Sequence, residues 1–397
     1  MTQSVIPMIK VGTGISGERR SERAAEQAAQ EAVQHAGVNE SDLALVFITT
    51  DHVPHFPQIL KSIQSLTGSK HIVGASGYGV LTEKMEIERA PGIAVMTLAS
   101  DSFDTYPFFI TNVQEDNLTA GRAIGGHLQG KGFANNLFVI FPDPFSLRSP
   151  NFFQGYADEA ADTPLVGGLA GEDGTQRMTY QFLNDRVMSD AVSGFLMSGN
   201  FRASSFVTQC CLPASNPIKI TKSEENLILE LNDTPAYDVL LAVLEQFEIK
   251  DFSTLLNFLF VGLPIFPDQS EFTRANYSVR NVIGVDPQKK IIALGGPVPQ
   301  GENMVFLIRD PNLAKRDMKE ILEEATNSLT RYHFGFYFNC YGRGQSLYNR
   351  PNTDTRMIHE AFPQIPIIGF FSYGEIGPVQ GMNMLHNFSG VLTLVGE

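Results

Sequence analysis

A short apolar strand that runs into a glycine-rich segment recurs three times along this chain of 397 residues. Gly74, Gly167 and Gly369 open the three segments, and each follows the same order of predicted helices and strands. The second gap between these glycines is about twice the first, which leaves room for an insertion or a degraded further copy. Such a recurrence predicts a fold built from repeated α-β-α-β-β units.

Hydrophobic periodicity places the elements of each copy. The predicted helices cover 21–35, 57–66, 118–128, 151–160, 313–329 and 353–361, and the predicted strands cover 43–49, 71–73, 92–98, 137–141, 165–166, 192–197, 334–338, 367–368 and 391–395. Further paired strands are predicted at 278–285, 291–294 and 304–308. Helices that alternate with short apolar strands indicate an α/β protein with mixed β-sheets covered by helices, in two halves.

A polar, proline-containing stretch at residues 211–225 is the best candidate for a domain boundary. It predicts one domain at residues 1–215, with two of the repeat units, and a second at residues 225–397. The candidate ligand site falls in the second of these domains.

The net charge limits the partners of this chain. It has 29 basic and 43 acidic residues, a formal charge of −14, and Lys289-Lys290 is its only notable basic pair. Such a charge repels phosphate backbones, so nucleic acid is not an expected partner.

Cysteine use and hydropathy indicate the compartment. Three cysteines cannot form a disulfide framework, which is typical of a reducing environment. Residues 18–23 are densely charged, and no apolar signal segment precedes them. The longest apolar stretch, residues 255–266, is shorter than the roughly 20 residues that span a bilayer. We therefore expect a cytoplasmic protein that is not inserted in a membrane.

The first part of the candidate site follows the predicted strand 334–338. Open α/β sheets bind ligands at the carboxyl ends of their strands. Arg343 lies there between two glycines, and a guanidinium can hold a carboxylate or similar anion through two parallel hydrogen bonds. The segment predicted to contact the ligand consists of Asn339, Cys340, Tyr341, Gly342, Arg343 and Gly344.

The second part of the candidate site is the third glycine-rich segment. It contributes Ser372, Tyr373, Gly374 and Glu375, which supply a hydroxyl, a phenol and a carboxylate. Glycines leave backbone N–H groups free to line a concavity, because no Cβ blocks a ligand. Glu375 either pairs with Arg343 or binds a ligand amine. Alternatively, the two form a structural ion pair and Cys340 is a small buried residue.

Other motifs give weaker signals. Residues 12–17 match G-x-G-x-x-G, but the acidic residue after the next strand lies too far along for a dinucleotide fingerprint. A loop and helix cap, with Ser16 or Ser21 as the cap, is predicted instead. His52 and His55 lack a third and fourth metal ligand in a matching pattern. The nucleophile elbow G-x-S-x-G does not occur, so Ser/His/Asp hydrolysis has no support.

A spaced set of motifs runs through nearly the whole chain. In the C-terminal half the set consists of residues 233–239, Arg280, residues 298–301, residues 340–344, Gly369, residues 374–376 and residues 385–387. In the N-terminal half it consists of residues 14–16, 45–49, 74–79 and 167–171. In these residues the sequence resembles the FIST family, with an N-terminal and a C-terminal FIST half.

The resemblance implies a sensory protein of intracellular signal transduction. We expect it to bind an amino acid or a similar small anion or zwitterion in its C-terminal half, and to have no enzymatic activity. Some family members of similar layout bind haem and report nitric oxide to a separate histidine kinase, which is the first alternative. The second is an enzyme with Cys340 as nucleophile and His333 or His386 as the candidate base.

Overall fold

The computed structural model describes residues 8–131, 135–245, 258–266 and 268–397. The α-helices in these ranges are α1 (Ser21–Ala36), α2 (Phe56–Thr67), α3 (Asn117–Gly125), α4 (Ser149–Ala160), α5 (Ala236–Glu245), α6 (Pro311–Ala325), α7 (Gly344–Tyr348) and α8 (Thr353–Ala361). Two 3-10 helices cover Thr50–His55 and Gly126–Leu128. Within the same ranges, no helix is both long and apolar enough to cross a bilayer.

The strands of the described ranges are numbered in chain order. They are β1 (Ile9–Ser16), β2 (Ser41–Thr49), β3 (Ser69–Gly77), β4 (Gly79–Thr82), β5 (Glu86–Glu88), β6 (Ile93–Ser100), β7 (Phe103–Thr111), β8 (Asn135–Pro142), β9 (Leu165–Gly168), β10 (Gln181–Leu183), β11 (Arg186–Met188), β12 (Ala191–Gly199), β13 (Arg202–Gln209), β14 (Cys211–Pro213), β15 (Ile218–Glu224), β16 (Leu227–Leu231), β17 (Thr234–Pro235), β18 (Leu259–Pro264), β19 (Tyr277–Asp286), β20 (Ile291–Leu294), β21 (Asn303–Arg309), β22 (Tyr332–Cys340), β23 (Ile367–Ser372), β24 (Glu375–Val379), β25 (Met382–His386) and β26 (Ser389–Gly396).

The chain divides into two compact units. The larger unit consists of Met1–Val207, Lys319–Leu385 and Ser389–Glu397, and the smaller unit consists of Thr208–Met318 and His386–Phe388. The α/β architecture with mixed sheets and helices is confirmed. The smaller unit is the insertion between the second and third glycine segments, and it contains the three paired strands predicted there. The predicted domains at 1–215 and 225–397 stay a prediction.

Three six-stranded sheets with the same internal pattern make up the larger unit. Their orders are β1-β6-β2-β3-β10-β11, β7-β12-β8-β9-β24-β25 and β13-β26-β22-β23-β4-β5. Each sheet has one parallel pair, β2–β3, β8–β9 or β22–β23, joined by a helix as parallel pairs require. The last two strands of each sheet are a hairpin that another part of the chain contributes, so the three sheets are interlocked.

Aromatic side chains from all three sheets meet in one core. Phe47 of β2, Phe141 of β8 and Phe338 of β22 occupy the first strand of each parallel pair. Their ring centroids are 5.0 to 6.5 Å apart at steep interplanar angles. All three rings are fully buried, and edge-to-face contacts at these distances stabilise the core beyond the burial of apolar area.

The glycines that open the three recurrent segments occupy equivalent positions. Gly74, Gly167 and Gly369 each lie in the second strand of a parallel pair, and an added Cβ would overlap a carbonyl oxygen of the first strand. The carbonyl groups belong to Val46, Ile140 and Tyr337, respectively. The recurrence therefore reflects close backbone packing inside the sheets.

The G-x-G-x-x-G match belongs to strand β1. A Cβ at Gly12 or Gly14 would overlap backbone atoms of α1, so these glycines allow the helix to pack directly on the strand. The predicted serine cap of α1 is wrong, because the cap residue is Arg20 and makes no side-chain cap hydrogen bond. Ser16 instead donates to Gln27 over 2.7 Å.

The smaller unit is a β-barrel with a helix against it. Strands β21, β15, β16, β20, β19 and β18 follow one another, and β18 pairs back with β21 to close the ring. Its core consists of alternate strand residues together with apolar residues of α5, among them Ile220, Leu231, Leu240, Val261 and Phe306.

Candidate ligand site at the carboxyl ends of the parallel strands

The three glycine-rich segments come together at one end of the larger unit. Gly171 donates its backbone N–H to Ser76 over 2.9 Å, and Tyr78 donates to Phe371 over 3.0 Å. Tyr373 closes the set by donating to the carbonyl of Leu169 over 3.2 Å. The three segments thus meet in the fold, which the sequence did not predict.

The backbone N–H groups of these segments bond to one another, which differs from the expected free, ligand-facing amides. Leu169 donates to the carbonyl of Gly374 over 2.8 Å, and Tyr341 donates to Ser372 over 3.0 Å. The physical reason is that glycine permits backbone-to-backbone contact as readily as contact with a ligand. The segments therefore form a floor in which these amides are already satisfied.

Most of the predicted site residues lie beneath the surface. Asn339, Cys340, Gly342, Arg343, Gly344, Ser372, Gly374 and Glu375 are buried, Tyr373 is half-buried and Tyr341 is 43% exposed. The structure thus brings the two predicted segments together, with the two tyrosine rings as the side chains that reach solvent.

Arg343 is fully buried and forms an ion pair with Asp354 of α8. Its Nε donates to Oδ2 over 3.0 Å and its Nη2 to Oδ1 over 3.1 Å, a bidentate geometry. The hydroxyls of Tyr337 and Tyr348 donate to the same carboxylate over 3.0 and 2.8 Å. Burial alone would raise the pKa of Asp354, but the charge and hydrogen bonds of Arg343 outweigh it and hold this pKa below its usual value.

Glu375, the partner considered for Arg343 from the sequence, is held by serines. Its carboxylate accepts from the hydroxyl of Ser372 over 2.7 Å and from the hydroxyl of Ser389 over 2.6 Å. Neither Arg343 nor Glu375 faces an open cleft, because both side chains are fully buried, so the predicted contact of either group with a ligand is not what the arrangement found favours. Sequence reasoning missed Asp354 because only the fold carries α8 beneath the end of β22.

A hairpin from the first half of the chain adds two more buried carboxylates. Glu86 accepts from the backbone N–H and the hydroxyl of Thr355 over 3.0 and 2.7 Å. Glu88 accepts from the backbone N–H of Gln345 over 3.0 Å. Burial raises the pKa of Glu88 to about 7. The E-x-E spacing was visible in the sequence, but the pairing of this hairpin with a distant sheet was not.

A row of aromatic rings covers this end of the unit, and we call Tyr78, Tyr341, Tyr373 and Phe145 the aromatic row. Ring centroids are 5.8 Å apart between Tyr78 and Tyr341, and 5.1 Å apart between Tyr341 and Tyr373. Phe145, which is 40% exposed, follows at 6.4 Å from Tyr373. Each ring comes from a different strand end, which is why no local motif marks the row.

Opposite charges lie at different points of the aromatic row. Exposed Arg89 donates from Nε to the hydroxyl of Tyr78 over 3.3 Å. Glu172 accepts from the hydroxyl of Tyr373 over 2.9 Å. The pKa of this phenol is raised mainly by burial, then by Glu172, and to a smaller extent by the nearby Asp173. The row therefore has a guanidinium beside one ring and carboxylates beside another.

Of the two histidines considered for a metal, His52 is buried and His55 is exposed. His52 bonds through Nδ1 to the hydroxyl of Ser21 over 2.9 Å, and burial lowers its pKa. Its Nε2 is buried without a hydrogen-bond partner among the described residues. Over that part of the chain, no three His, Cys, Asp or Glu side chains come together as a metal site.

Haem would require an apolar slot with a histidine or cysteine facing it. The cavity beside His55 has a volume of ≈ 400 Å³, and its lining combines the charged residues Arg20 and Glu22 with polar residues and Ile59. The three cysteines are buried. The haem alternative stays a prediction, and the function proposed below does not use it.

Domain models match both halves of the sequence: a FIST N domain at residues 42–234 and a FIST C domain at residues 236–378. The chain belongs to the FIST family. FIST domains are sensory domains of signal transduction, so the coarse functional expectation is confirmed.

This FIST protein is similar to mycobacterial proteins. It is 25% identical over 354 residues to an uncharacterized protein of Mycobacterium tuberculosis (strain H37Rv), covering 89% of this chain and 90% of that one. An uncharacterized protein of Mycobacterium bovis is 26% identical over 356 residues, with the same coverage. A crystal structure of cyanuric acid hydrolase from A. caulinodans overlaps 50% of this chain and 73% of its own at 9% identity, and its TM-score of 0.28 supports no further conclusion.

Proposed function

We propose that this FIST protein senses a small zwitterion of the amino-acid class, bound on the aromatic row. The observation that carries the proposal is the charge pattern along the row, with Arg89 beside Tyr78 and with Glu172 and Asp173 near Tyr373. A ligand with a carboxylate and an ammonium group matches this pattern, since each charge then lies near its opposite.

The rings give the ammonium end of such a ligand a favourable surface. Tyrosine faces attract cations within about 6 Å, and nearby carboxylates strengthen that attraction. Tyr341 and Tyr373, whose rings are 5.1 Å apart, belong to the C-terminal half, where the sequence predicted the ligand. Tyr373 is held in place because its hydroxyl donates to both the carbonyl and the carboxylate of Glu172, over 3.0 and 2.9 Å.

Arg89 takes the anion-binding role that the sequence assigned to Arg343. It is exposed and has nitrogen donors besides the one that meets Tyr78. A guanidinium in this position can hold a carboxylate through two hydrogen bonds. Arg343 lies beneath the floor, and its Nη1 is a buried donor without a hydrogen-bond partner among the described residues. Its direct contact with a ligand stays a prediction.

Output passes, in this proposal, to a separate signalling protein such as a histidine kinase. A ligand that binds one arrangement of the loops more tightly than another shifts their populations, and that differential affinity is the signal. The floor beneath the rings links three segments through backbone hydrogen bonds, so a change at one tyrosine is transmitted to the others.

A ligand screen tests the proposal. Thermal unfolding of the full chain is measured with each of the twenty protein amino acids, followed by calorimetric titration of those that stabilise it. We expect at least one to bind, and Arg89→Gln to weaken its affinity about tenfold or more. Exposed Arg19 is the matched control, and Arg19→Gln should leave the affinity unchanged. Absence of binding by every amino acid, or an equal loss in both variants, would contradict the proposal.

We propose binding without catalysis, and the thiol of Cys340 tests this. The side chain is only 3% exposed, and Gly342 points its N–H at the sulfur over 3.4 Å. A buried thiol reacts slowly. We expect alkylation at neutral pH to require denaturant, as judged by mass spectrometry of Cys340 peptides. Rapid labelling of the native chain would favour the nucleophile hypothesis instead.

A further inference from the structure

A further cavity of the larger unit has a lysine and two histidines among its lining residues. Its volume is ≈ 530 Å³, and its walls are formed by His71, Thr105, Tyr106, Pro107, Gly126, His127, Gln129 and Lys131. No Asp or Glu is among these residues, although the chain as a whole has a formal charge of −14. A lining with a lysine, two histidines and no acid, in so acidic a protein, favours a negatively charged guest.

Three of the lining residues carry nitrogen atoms that are free to bind. Within the described part of the chain, the side chains of His71, His127 and Lys131 make no hydrogen bond and no ion pair, although the backbone N–H of Lys131 donates to the carbonyl of Leu128 over 3.1 Å. The Lys131 ammonium lies 3.3 Å above the centre of the Tyr106 ring. The His127 ring stacks on Phe108, with centroids 4.8 Å apart and an interplanar angle of 21°. Both side chains are thus oriented by aromatic contacts that leave their nitrogen atoms available.

Two further polar side chains of the lining are held by hydrogen bonds. Tyr106 donates its hydroxyl to Asp104 over 3.2 Å, and Gln129 donates to Glu159 over 3.3 Å. Asp104 and Glu159, which are not lining residues, thus fix the side chains of Tyr106 and Gln129. The half-buried His127 has a pKa lowered by burial and then by Lys131, and an anion between them would relieve that repulsion.

We propose that this cavity binds a small phosphate-bearing molecule, whose oxyanion is held by Lys131, His127 and His71. An ammonium and two imidazoles supply donors that can surround a tetrahedral oxyanion, and charge-assisted hydrogen bonds to phosphate are strong. The volume exceeds what a free phosphate fills, so an organic group attached to the phosphate also fits.

Titration calorimetry with the full chain tests the site, with inorganic phosphate and glycerol phosphate as the two probes. We expect binding of at least one, and a tighter complex with glycerol phosphate if the organic group is recognised. Lys131→Met keeps the aliphatic stem on Tyr106 and should weaken binding about tenfold or more. His127→Phe keeps the stack on Phe108 and should also weaken binding. Lys61→Met removes a charge from an exposed position of α2 and should change the affinity less than about twofold.

Two results would overturn the proposal. One is an absence of heat for both probes up to millimolar concentrations. The other is an equal loss of affinity in Lys131→Met and Lys61→Met, which would indicate general attraction by charge. Should Lys131→Met unfold, His71→Gln gives the same test, and imidazole 15N spectra of the unmutated chain must show phosphate-dependent shifts for His71 and His127.

Discussion

At the scale of single residues, the Arg343–Asp354 pair places two opposite charges out of contact with water. Each charge is tolerable only because the other is present and because tyrosine hydroxyls complete the hydrogen bonding of the carboxylate. An arginine between two glycines was visible in the sequence, but its burial and its partner depend on a helix that begins ten residues later in the chain.

Neutralising the carboxylate should therefore destabilise the fold strongly. We expect Asp354→Asn to lower the free energy of unfolding by about 3–5 kcal/mol, because it leaves the buried guanidinium without a counter-charge. Urea denaturation measures the change. The control is Asp158→Asn, which breaks a more exposed pair with Arg122 and should lower the free energy of unfolding far less. Equal losses in the two variants would contradict this account.

Glu88 makes stability depend on pH in a definite direction. Burial raises its pKa from 4.5 to about 7, so the folded chain holds this proton more tightly than the unfolded chain does. Its contribution is fully present below about pH 4.5 and is lost as the pH rises to about 7, at a cost on the order of 3 kcal/mol.

The Glu88→Gln variant isolates this effect. We expect the loss of unfolding free energy between pH 5 and pH 8 to be smaller in the variant than in the unmutated chain, by about 2 kcal/mol. Urea denaturation at the two pH values gives the difference. Glu26→Gln, at an exposed position of α1, should show the same change in unfolding free energy between pH 5 and pH 8 as the unmutated chain. If Glu88→Gln shows the same pH dependence of the unfolding free energy as the unmutated chain, the claim that burial raises the pKa of Glu88 is wrong.

At the scale of elements, the predicted helices and strands correspond to those of the structure, with ends displaced by a few residues. The strand predicted at 71–73 is longer, and β3 extends from Ser69 to Gly77. The glycines that suggested a loop lie inside this strand, because they accommodate a neighbouring carbonyl group. Period and composition identify an element well, but they cannot distinguish a glycine that admits a ligand from one that admits a backbone.

Gly369 tests this interpretation of the recurrence. We expect Gly369→Ala to lower the free energy of unfolding by about 1–3 kcal/mol or more, because its Cβ would overlap the carbonyl group of Tyr337. Gly126 has nothing within 4 Å of an added Cβ and a φ of −60°, so Gly126→Ala should be neutral or slightly stabilising. A tolerated Gly369→Ala would mean that the recurrent glycine serves another purpose than packing.

At the scale of the whole molecule, the interlocking of the sheets is what the sequence could not reveal. Hairpin β4–β5 pairs with β23, almost three hundred residues further along the chain, and brings Glu86 and Glu88 to the neighbourhood of Arg343. The aromatic row has the same origin, since Tyr78 and Tyr341 come from different parts of the chain. Local patterns predicted where these strands lie in the sequence, but contacts between distant strand ends require the fold.

The central claim is that the ligand lies on the aromatic row, and a probe on Tyr341 tests it most directly. Replacing this residue with 3-fluorotyrosine and recording 19F spectra during a titration with the stabilising amino acid should show a saturable shift, with the affinity found by calorimetry. The same label at Tyr332, which lies outside the row and donates its hydroxyl to the carbonyl of Ala325, should not respond. A ligand that binds while Tyr341 stays unchanged would place the site elsewhere and contradict the account.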